Sequence, residues 1–303
     1  MSKIKENILD ISHNHCEYLI NLKNVQGIGL GHKFINGKDT NEPCIHVLVE
    51  EKVDSKYISK DNLVPKSYMG IKTDVIRVGK VKPRDGVAVP YIFRPLEGGC
   101  AISIGSTMED GTLGCILTRN SGEKREYFIL SNNHVLALKN TVPIGSPIIQ
   151  PSIALRANVK KHIIAVLATY VRLKFNKGFY QPANYMDCAL GRIIDNSIVS
   201  NEIHLIGEIT GVAKPALKMP VRKVGFVSGL TNGQIISMGV SVPIPYTDTL
   251  TALFKDQILC TLDNDAGDSG AVVVDDSNKV LGLFHSGTDD GYAYFSDIED
   301  IYH

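Results

Sequence analysis

The spacing of apolar residues changes its period once along this chain. Between residues 3 and 22, Ile4, Ile8, Leu9, Ile11, Cys16, Leu19, Ile20 and Leu22 fall mostly at helical intervals, which predicts an amphipathic helix. From Asn24 the period shortens. Residues 24–35 read as a strand whose glycines, Gly27, Gly29 and Gly31, sit where backbones approach closely. Asn36-Gly37-Lys38-Asp39 is a hairpin turn signal, Cys44–Glu50 the return strand and Thr73–Val78 a third. Residues 1–88 therefore predict a small α+β module. Residues 80–98, rich in Pro, Gly and Arg, read as a linker. Beyond them come short apolar runs at 100–104, 112–118, 126–131, 146–150, 162–173 and 187–194. Further runs follow at 203–213, 221–226, 233–240, 257–262, 271–274, 280–284 and 292–295. Many short strands with Gly and Pro between them predict an all-β region of barrels or sandwiches.

Composition narrows the function class. A chain of 303 residues suggests two or three domains. Its 32 basic and 32 acidic residues cancel, which argues against nucleic acid as the main partner. No apolar run is long enough to span a membrane. Charges every few residues in the first ten leave no apolar core for a signal peptide, so a cytoplasmic protein is expected. Cys16, Cys44, Cys100, Cys115, Cys188 and Cys260 read as buried reduced thiols. Cys100 and Cys115 are the one pair that could face each other across a hairpin.

Three segments carry candidate chemistry. The apolar run Tyr127–Leu130 ends in Ser131-Asn132-Asn133 and then presents His134. Asp187 stands directly before the apolar run Cys188-Ala189-Leu190. Gly267-Asp268-Ser269-Gly270 precedes the run Ala271–Val274. A serine hydroxyl becomes a useful nucleophile when a base takes its proton. Histidine can take and return that proton near neutral pH. A buried carboxylate fixes the imidazole tautomer, and glycines around the serine let backbone N–H groups converge on an oxyanion. Singly, such a histidine or aspartate is more often a turn or cap residue; together and in order they point to one site.

On these residues the chain resembles the chymotrypsin/trypsin superfamily, whose chain order is also His, Asp, Ser. It is more closely similar to the bacterial trypsin-like relatives of the plant narrow-leaf protein. That likeness rests on Gly27-Ile-Gly-Leu-Gly31, Gly111-Thr-Leu-Gly114, Leu130–Ala137, Lys223-Val-Gly225 and Gly229-Leu-Thr-Asn-Gly233. The resemblance implies a chymotrypsin-like double β-barrel behind the N-terminal module. The first barrel would span 89–200 with His134 and Asp187, the second 201–303 with Ser269. It implies a serine endopeptidase acting through an acyl-enzyme, and the neutral charge with no secretion signal suggests an intracellular, selective and regulated one. His134 would be the base, Asp187 its orienter and Ser269 the nucleophile. The amides of Gly267 and Ser269 would form the oxyanion hole. The partners would be a protein or peptide substrate and a homo-oligomer or regulatory partner through 1–88. The alternative is a non-catalytic, protease-like peptide-binding or scaffold protein on the same fold.

Several positions depart from the family pattern. Secreted relatives free a new N-terminus that pairs with the acid before the nucleophile, here Asp268. Pro95 directly after Arg94 makes a poor processing site, so Asp268 should find an internal partner or solvent. Gly225-Phe-Val-Ser-Gly229 stands where close relatives carry Gly-Arg-Thr-Thr-Gly, which removes donors that could brace the cleft. Asp263, six residues before Ser269, would favour Lys or Arg at the base of a specificity pocket; otherwise it is a surface-loop carboxylate. Phe284, His285, Ser286 and Gly287 are, with Asp263, the candidate substrate-binding residues; His285 would favour Glu at the pocket wall, otherwise it is a hydrogen-bonded structural residue. Trp is absent, and Phe284 would stand at the wall in its place. No cofactor is implied. His13 and His15 do not face each other on a helix, and Asp289-Asp290-Gly291 supplies too few oxygens for calcium, so no metal is expected either.

Overall fold

The computed structural model describes residues 3–82, 92–122 and 124–301. Most of the expected linker, residues 83–91, and with it the 88/89 boundary lie outside the described residues. The first helix, Lys3–Asn14, stops earlier than its apolar spacing suggests; a separate short turn, Glu17–Ile20, follows. Ile8, Ile11 and Leu19 are buried, so both pieces press one apolar face against the strands beneath. The hairpin Val25–Ile35 with Lys38–Val49 turns through Asn36 and Gly37, both at positive φ, which suits a two-residue turn of this kind. Ile71–Arg77 adds in parallel to Lys38–Val49.

Residues 101–193 build the first barrel. Its sheet order is Asp110–Thr112, Ala101–Ile104, Pro147–Ile149, Ile163–Tyr170, Ala189–Ile193, Lys124–Ser131 and Cys115–Ser121. Ile102, Ile129, Leu136, Ile148, Ile164 and Leu167 fill its interior. Six of the apolar runs read from the sequence correspond to these strands, and the run 112–118 divides between two of them. The expected run 203–213 is instead broken into Val199–Ile203, Gly207–Glu208 and Gly211–Val212.

The second barrel uses Pro220–Gly225, Gly229–Pro245, Thr251–Cys260, Val272–Val274, Lys279–Thr288 and Ala293–Asp297. The protein is thus mainly β, a double barrel preceded by a small α+β module. Gly229–Pro245 is far longer than the run 233–240 that signalled it. Its outer half pairs with Val25–Ile35, through Ile28 opposite Ser241 and Leu30 opposite Met238. The module's sheet is therefore continuous with the second barrel. Ser237 Oγ donates to the Leu30 carbonyl at 2.8 Å and Ser241 Oγ to the Ser12 carbonyl at 2.5 Å, sealing the seam. All six cysteines are free and buried, Cys100 and Cys115 included.

Candidate active site

The polar run that interrupts the strand Lys124–Ser131 is held side chain by side chain. Ser131 Oγ donates to the Thr112 carbonyl at 2.8 Å, and Asn132 Nδ2 to the Asp187 carbonyl at 2.6 Å. Asn133 Nδ2 bonds Asn140 Oδ1 at 2.8 Å and the Val171 carbonyl at 2.7 Å. These three buried residues close the first barrel and fix the short helix Asn133–Leu136, on which His134 stands partly exposed.

His134 Nδ1 lies 2.6 Å from Asp187 Oδ2. Asp187 is buried, and its Oδ1 accepts from the His134 amide at 3.2 Å. Tyr246 Oη donates to Oδ2 at 2.5 Å, and its ring centroid lies 5.4 Å from that of His134. Burial alone would push the Asp187 carboxyl up. The charge and hydrogen bonds of His134, together with the Tyr246 hydroxyl, outweigh it and hold the carboxyl below its ordinary range. An ionised carboxylate only accepts, so Nδ1 carries the proton and Nε2 presents a lone pair. Tyr246 had no signal in the sequence: it follows a strand of the other barrel.

Ser269 sits in the turn before Val272–Val274. Thr112 joins this turn to the histidine segment: its amide donates to the Ser269 carbonyl at 2.8 Å and its hydroxyl to the Gly267 carbonyl at 2.8 Å. A Cβ on Gly111 would meet Val135 at 2.5 Å and the Ser269 carbonyl at 2.9 Å, so the two segments pack across a bare backbone. Ser269 Oγ donates to the His285 carbonyl at 3.3 Å rather than to His134. Gly267 and Gly270 take φ of +100° and +98°, a region that favours glycine. The amides of Gly267 and Ser269 have no acceptor among the described residues.

Asp268 does find an internal partner. Lys223 Nζ lies 2.7 Å from its Oδ2, and both side chains are 0% exposed. Oδ1 also accepts from the amides of Ser228 at 3.0 Å and Val227 at 3.2 Å. Oδ2 accepts from Ser228 Oγ at 2.5 Å and the Asp265 amide at 3.0 Å. Burial would raise this carboxyl; the Lys223 charge and these bonds hold it low. Gly225 makes room, because a Cβ there would come within 2.0 Å of Asp268 Oδ1. The run 225–229 thus braces the serine turn with Ser228 and backbone amides, so the expected loss of donors is corrected. The signal for Lys223 was its parity: it shares the inward side of its strand with Val221 and Gly225.

The specificity residues are placed differently from the expectation. Asp263 is exposed, beside Gly291, and not at the base of an enclosed pocket. Phe284 is buried with its ring 5.3 Å from Lys223 Nζ, so it is a core residue rather than a pocket wall. The His285 ring is buried, with Nε2 2.8 Å from Gln257 Oε1 and Nδ1 3.1 Å from Ser286 Oγ; it stacks on Phe254 at 5.0 Å. Burial lowers its pKa to about 4, which keeps it neutral. The hydrogen-bonded structural alternative is therefore the one observed. Ser286 is buried too. Gly287 and Thr288 form a sheet edge that pairs antiparallel with Lys82 and Val81. His13, read as a polar helix residue, bonds Asp256 at 3.1 Å.

Residues 5–78 match the family model of the NARROW LEAF 1 N-terminal domain. This agrees with the likeness read from Gly27-Ile-Gly-Leu-Gly31. Solved structures of bacterial proteases are similar to about two thirds of the chain. Thermobifida fusca protease A is 17% identical, with 68% of this chain and 92% of that one covered and a TM-score of 0.48. Cellulomonas bogoriensis chymotrypsin is 16% identical over 68% and 92%, with a TM-score of 0.47. A Nocardiopsis protease is 15% identical over 68% and 93%, with a TM-score of 0.48. No curated protein matches the chain. No helix among the described residues is long and apolar enough to cross a membrane.

Proposed function

We propose that the protein is a serine endopeptidase in which Ser269 is the nucleophile, His134 the general base and Asp187 its orienter. The observation that carries this reading is the buried, three-donor seat of Asp187, which turns a lone pair outward on His134 Nε2, while the neighbouring Val135 packs across Gly111 from the Ser269 carbonyl. On substrate binding, Ser269 Oγ turns from the His285 carbonyl to His134 Nε2, gives up its proton and attacks the scissile carbonyl carbon. The oxyanion is received by the amides of Gly267 and Ser269. His134 then returns the proton to the leaving amine, leaving an acyl-enzyme that water hydrolyses with the same histidine as base. Lys223 and Asp268 keep the serine turn formed with no processed N-terminus, which suits an unprocessed, cytoplasmic enzyme.

Regulation belongs to this reading. A peptide substrate binding in extended form needs a free sheet edge near the nucleophile. The edge Gly287–Thr288 lies two residues past the carbonyl that holds Ser269 Oγ, and Val81–Lys82 already occupies it. Val81 is buried, and its amide donates to Gln26 Oε1 at 3.2 Å. The module and its exit strand would thus restrain access until a substrate, a partner or a second copy draws them away. The same filled edge is what favours the second reading, a non-catalytic protease-like scaffold. Reaction with a fluorophosphonate separates the two: an endopeptidase is labelled at Ser269, whereas a folded scaffold without a working base is not.

A further inference from the structure

A polar cluster in the N-terminal module has no part in this chemistry. Cys44 and His46 are two residues apart on Lys38–Val49, so their side chains share one face of the sheet. The parallel strand Ile71–Arg77 places Asp74 in register with His46. One sulfur, one ring nitrogen and one carboxylate oxygen from these residues all lie within 4.8 Å of one another. The His46 ring rests on the backbone of Gly31, where a Cβ would come within 2.0 Å of ring atom Cε1. The last glycine of Gly27-Ile-Gly-Leu-Gly31 is therefore the seat of this histidine.

The ring's protonation pattern follows from its partners. His46 Nε2 lies 2.8 Å from the His32 carbonyl, which can only accept, so Nε2 carries the proton. Nδ1 then presents a lone pair. His46 is 1% exposed, and Nδ1 has no hydrogen-bond partner. A buried acceptor without a donor is unfavourable, and most such groups in folded proteins find a partner. Beside it stand a buried thiol and a carboxylate. Asp74 Oδ2 is anchored by the Phe34 amide at 2.7 Å, which orients the group and leaves its second oxygen. A histidine whose far nitrogen donates to a backbone carbonyl is the usual outer-shell arrangement of a metal ligand.

We propose that Cys44, His46 and Asp74 bind one divalent transition-metal ion, with zinc as the best fit to this set of sulfur, nitrogen and oxygen donors. His46 Nδ1, the Cys44 thiolate and an Asp74 oxygen are the ligands, and water takes the fourth position. Binding forms the metal–sulfur bond and releases the thiol proton to solvent. The thiolate and the carboxylate together balance the charge of the ion. Sulfur and nitrogen ligands of a tetrahedral zinc stand about 3.5 Å apart, so the three side chains draw together by roughly an ångström on binding. A cavity of about 490 Å³, lined by Phe34, His46, Asp74 and Tyr292 among others, gives the ion a way in. Asp74 reaches the cluster from a separate strand, so no compact ligand motif in the sequence announced it.

The test uses the full chain, stripped of metal and titrated with Co²⁺ as a spectroscopic stand-in for zinc. The expected result is a thiolate-to-cobalt charge-transfer band that saturates at about one ion per chain and is displaced by zinc. Cys44→Ser should abolish the band, whereas Cys100→Ser should retain it. Asp74→Asn, at a less buried position that tolerates an isosteric change, should weaken cobalt binding by about tenfold or more with the fold intact by circular dichroism. The proposal is overturned if wild-type protein shows no band, or if the band survives Cys44→Ser. Unchanged affinity in Asp74→Asn would remove the carboxylate from the ligand set and overturn the site as stated. None of these readouts depends on peptidase activity.

Discussion

Replacing Lys223 with Met tests whether the serine turn is held by an internal ion pair. The ammonium and the Asp268 carboxylate are 2.7 Å apart and fully buried, so the substitution leaves a carboxylate without its cation and out of reach of water. Breaking such a pair costs about 3–5 kcal/mol. Asp268 keeps three amide donors and the Ser228 hydroxyl, which places the expected loss near the low end, about 3 kcal/mol. At roughly 2 °C per kcal/mol for a chain of this size, the melting temperature should fall by about 6 °C. The labelling rate at Ser269 should fall by about a hundredfold, the scale for a lost oxyanion donor, because Asp268 adjoins Ser269 in the same turn. The pH dependence carries the sharper signature. In the wild type the Asp268 carboxyl is held low, so its contribution is present above the ordinary carboxylate range and is lost as pH falls through the depressed value. In the variant, burial without Lys223 raises the carboxyl, and protonation relieves the penalty on acidification. The stability gap between the two proteins should therefore be widest near neutrality and narrow as pH falls through the variant's raised carboxyl value, so that it is already smaller at pH 4. Lys72→Met, which breaks an exposed pair with Glu42 at 2.6 Å, should change little. A gap under about 1 kcal/mol, or one equally wide at pH 7 and pH 4, would refute the role given to Lys223.

Three further outcomes follow from the site. Tyr246→Phe removes a hydrogen bond to a buried carboxylate, and the Ser269 labelling rate should fall by about tenfold with little change in fold, a loss on the scale of about 1.5–3 kcal/mol. Gly225→Ala drives a methyl into Asp268; stability measured by denaturant should drop by about 1–3 kcal/mol and labelling should slow. Val81→Ser gives up about 2 kcal/mol of burial at the strand that fills the edge Gly287–Thr288, so Ser269 labelling should speed up by about tenfold; an unchanged rate would separate that strand from access.

The parts of the fold legible in the sequence were those set by local pattern. The apolar runs of the first barrel, the Asn36-Gly37 turn and the order of His134, Asp187 and Ser269 depend on neighbours in the chain. What escaped was set by distant partners. Gly229–Pro245 read as half its length because its pairing slips at Ser237 and Val240, and Gly239 takes positive φ, so alternation is lost midway. The helix over 3–22 divides near Cys16 because the second piece turns to cover the hairpin, a tertiary demand that spacing cannot express. Asp263, Phe284 and His285 were placed by analogy of position. Their surroundings depend on Gln257, Phe254 and Lys223 from other strands and on Gly291 from a distant turn. Lys223 stood at an inward position in an apolar strand, which was a usable sign of a buried partner.

The central claim is that Ser269 is a nucleophile activated by His134. Intact-mass measurement after exposure to a fluorophosphonate tests it most directly. Wild-type protein should gain one phosphonyl group, mapped to Ser269 by peptide sequencing, and both Ser269→Ala and His134→Ala should remain unmodified while keeping the wild-type circular dichroism spectrum. Folded protein that stays unlabelled both as wild type and as the Val81→Ser variant with its edge opened, or a Ser269→Ala variant that still cleaves peptides, would contradict it.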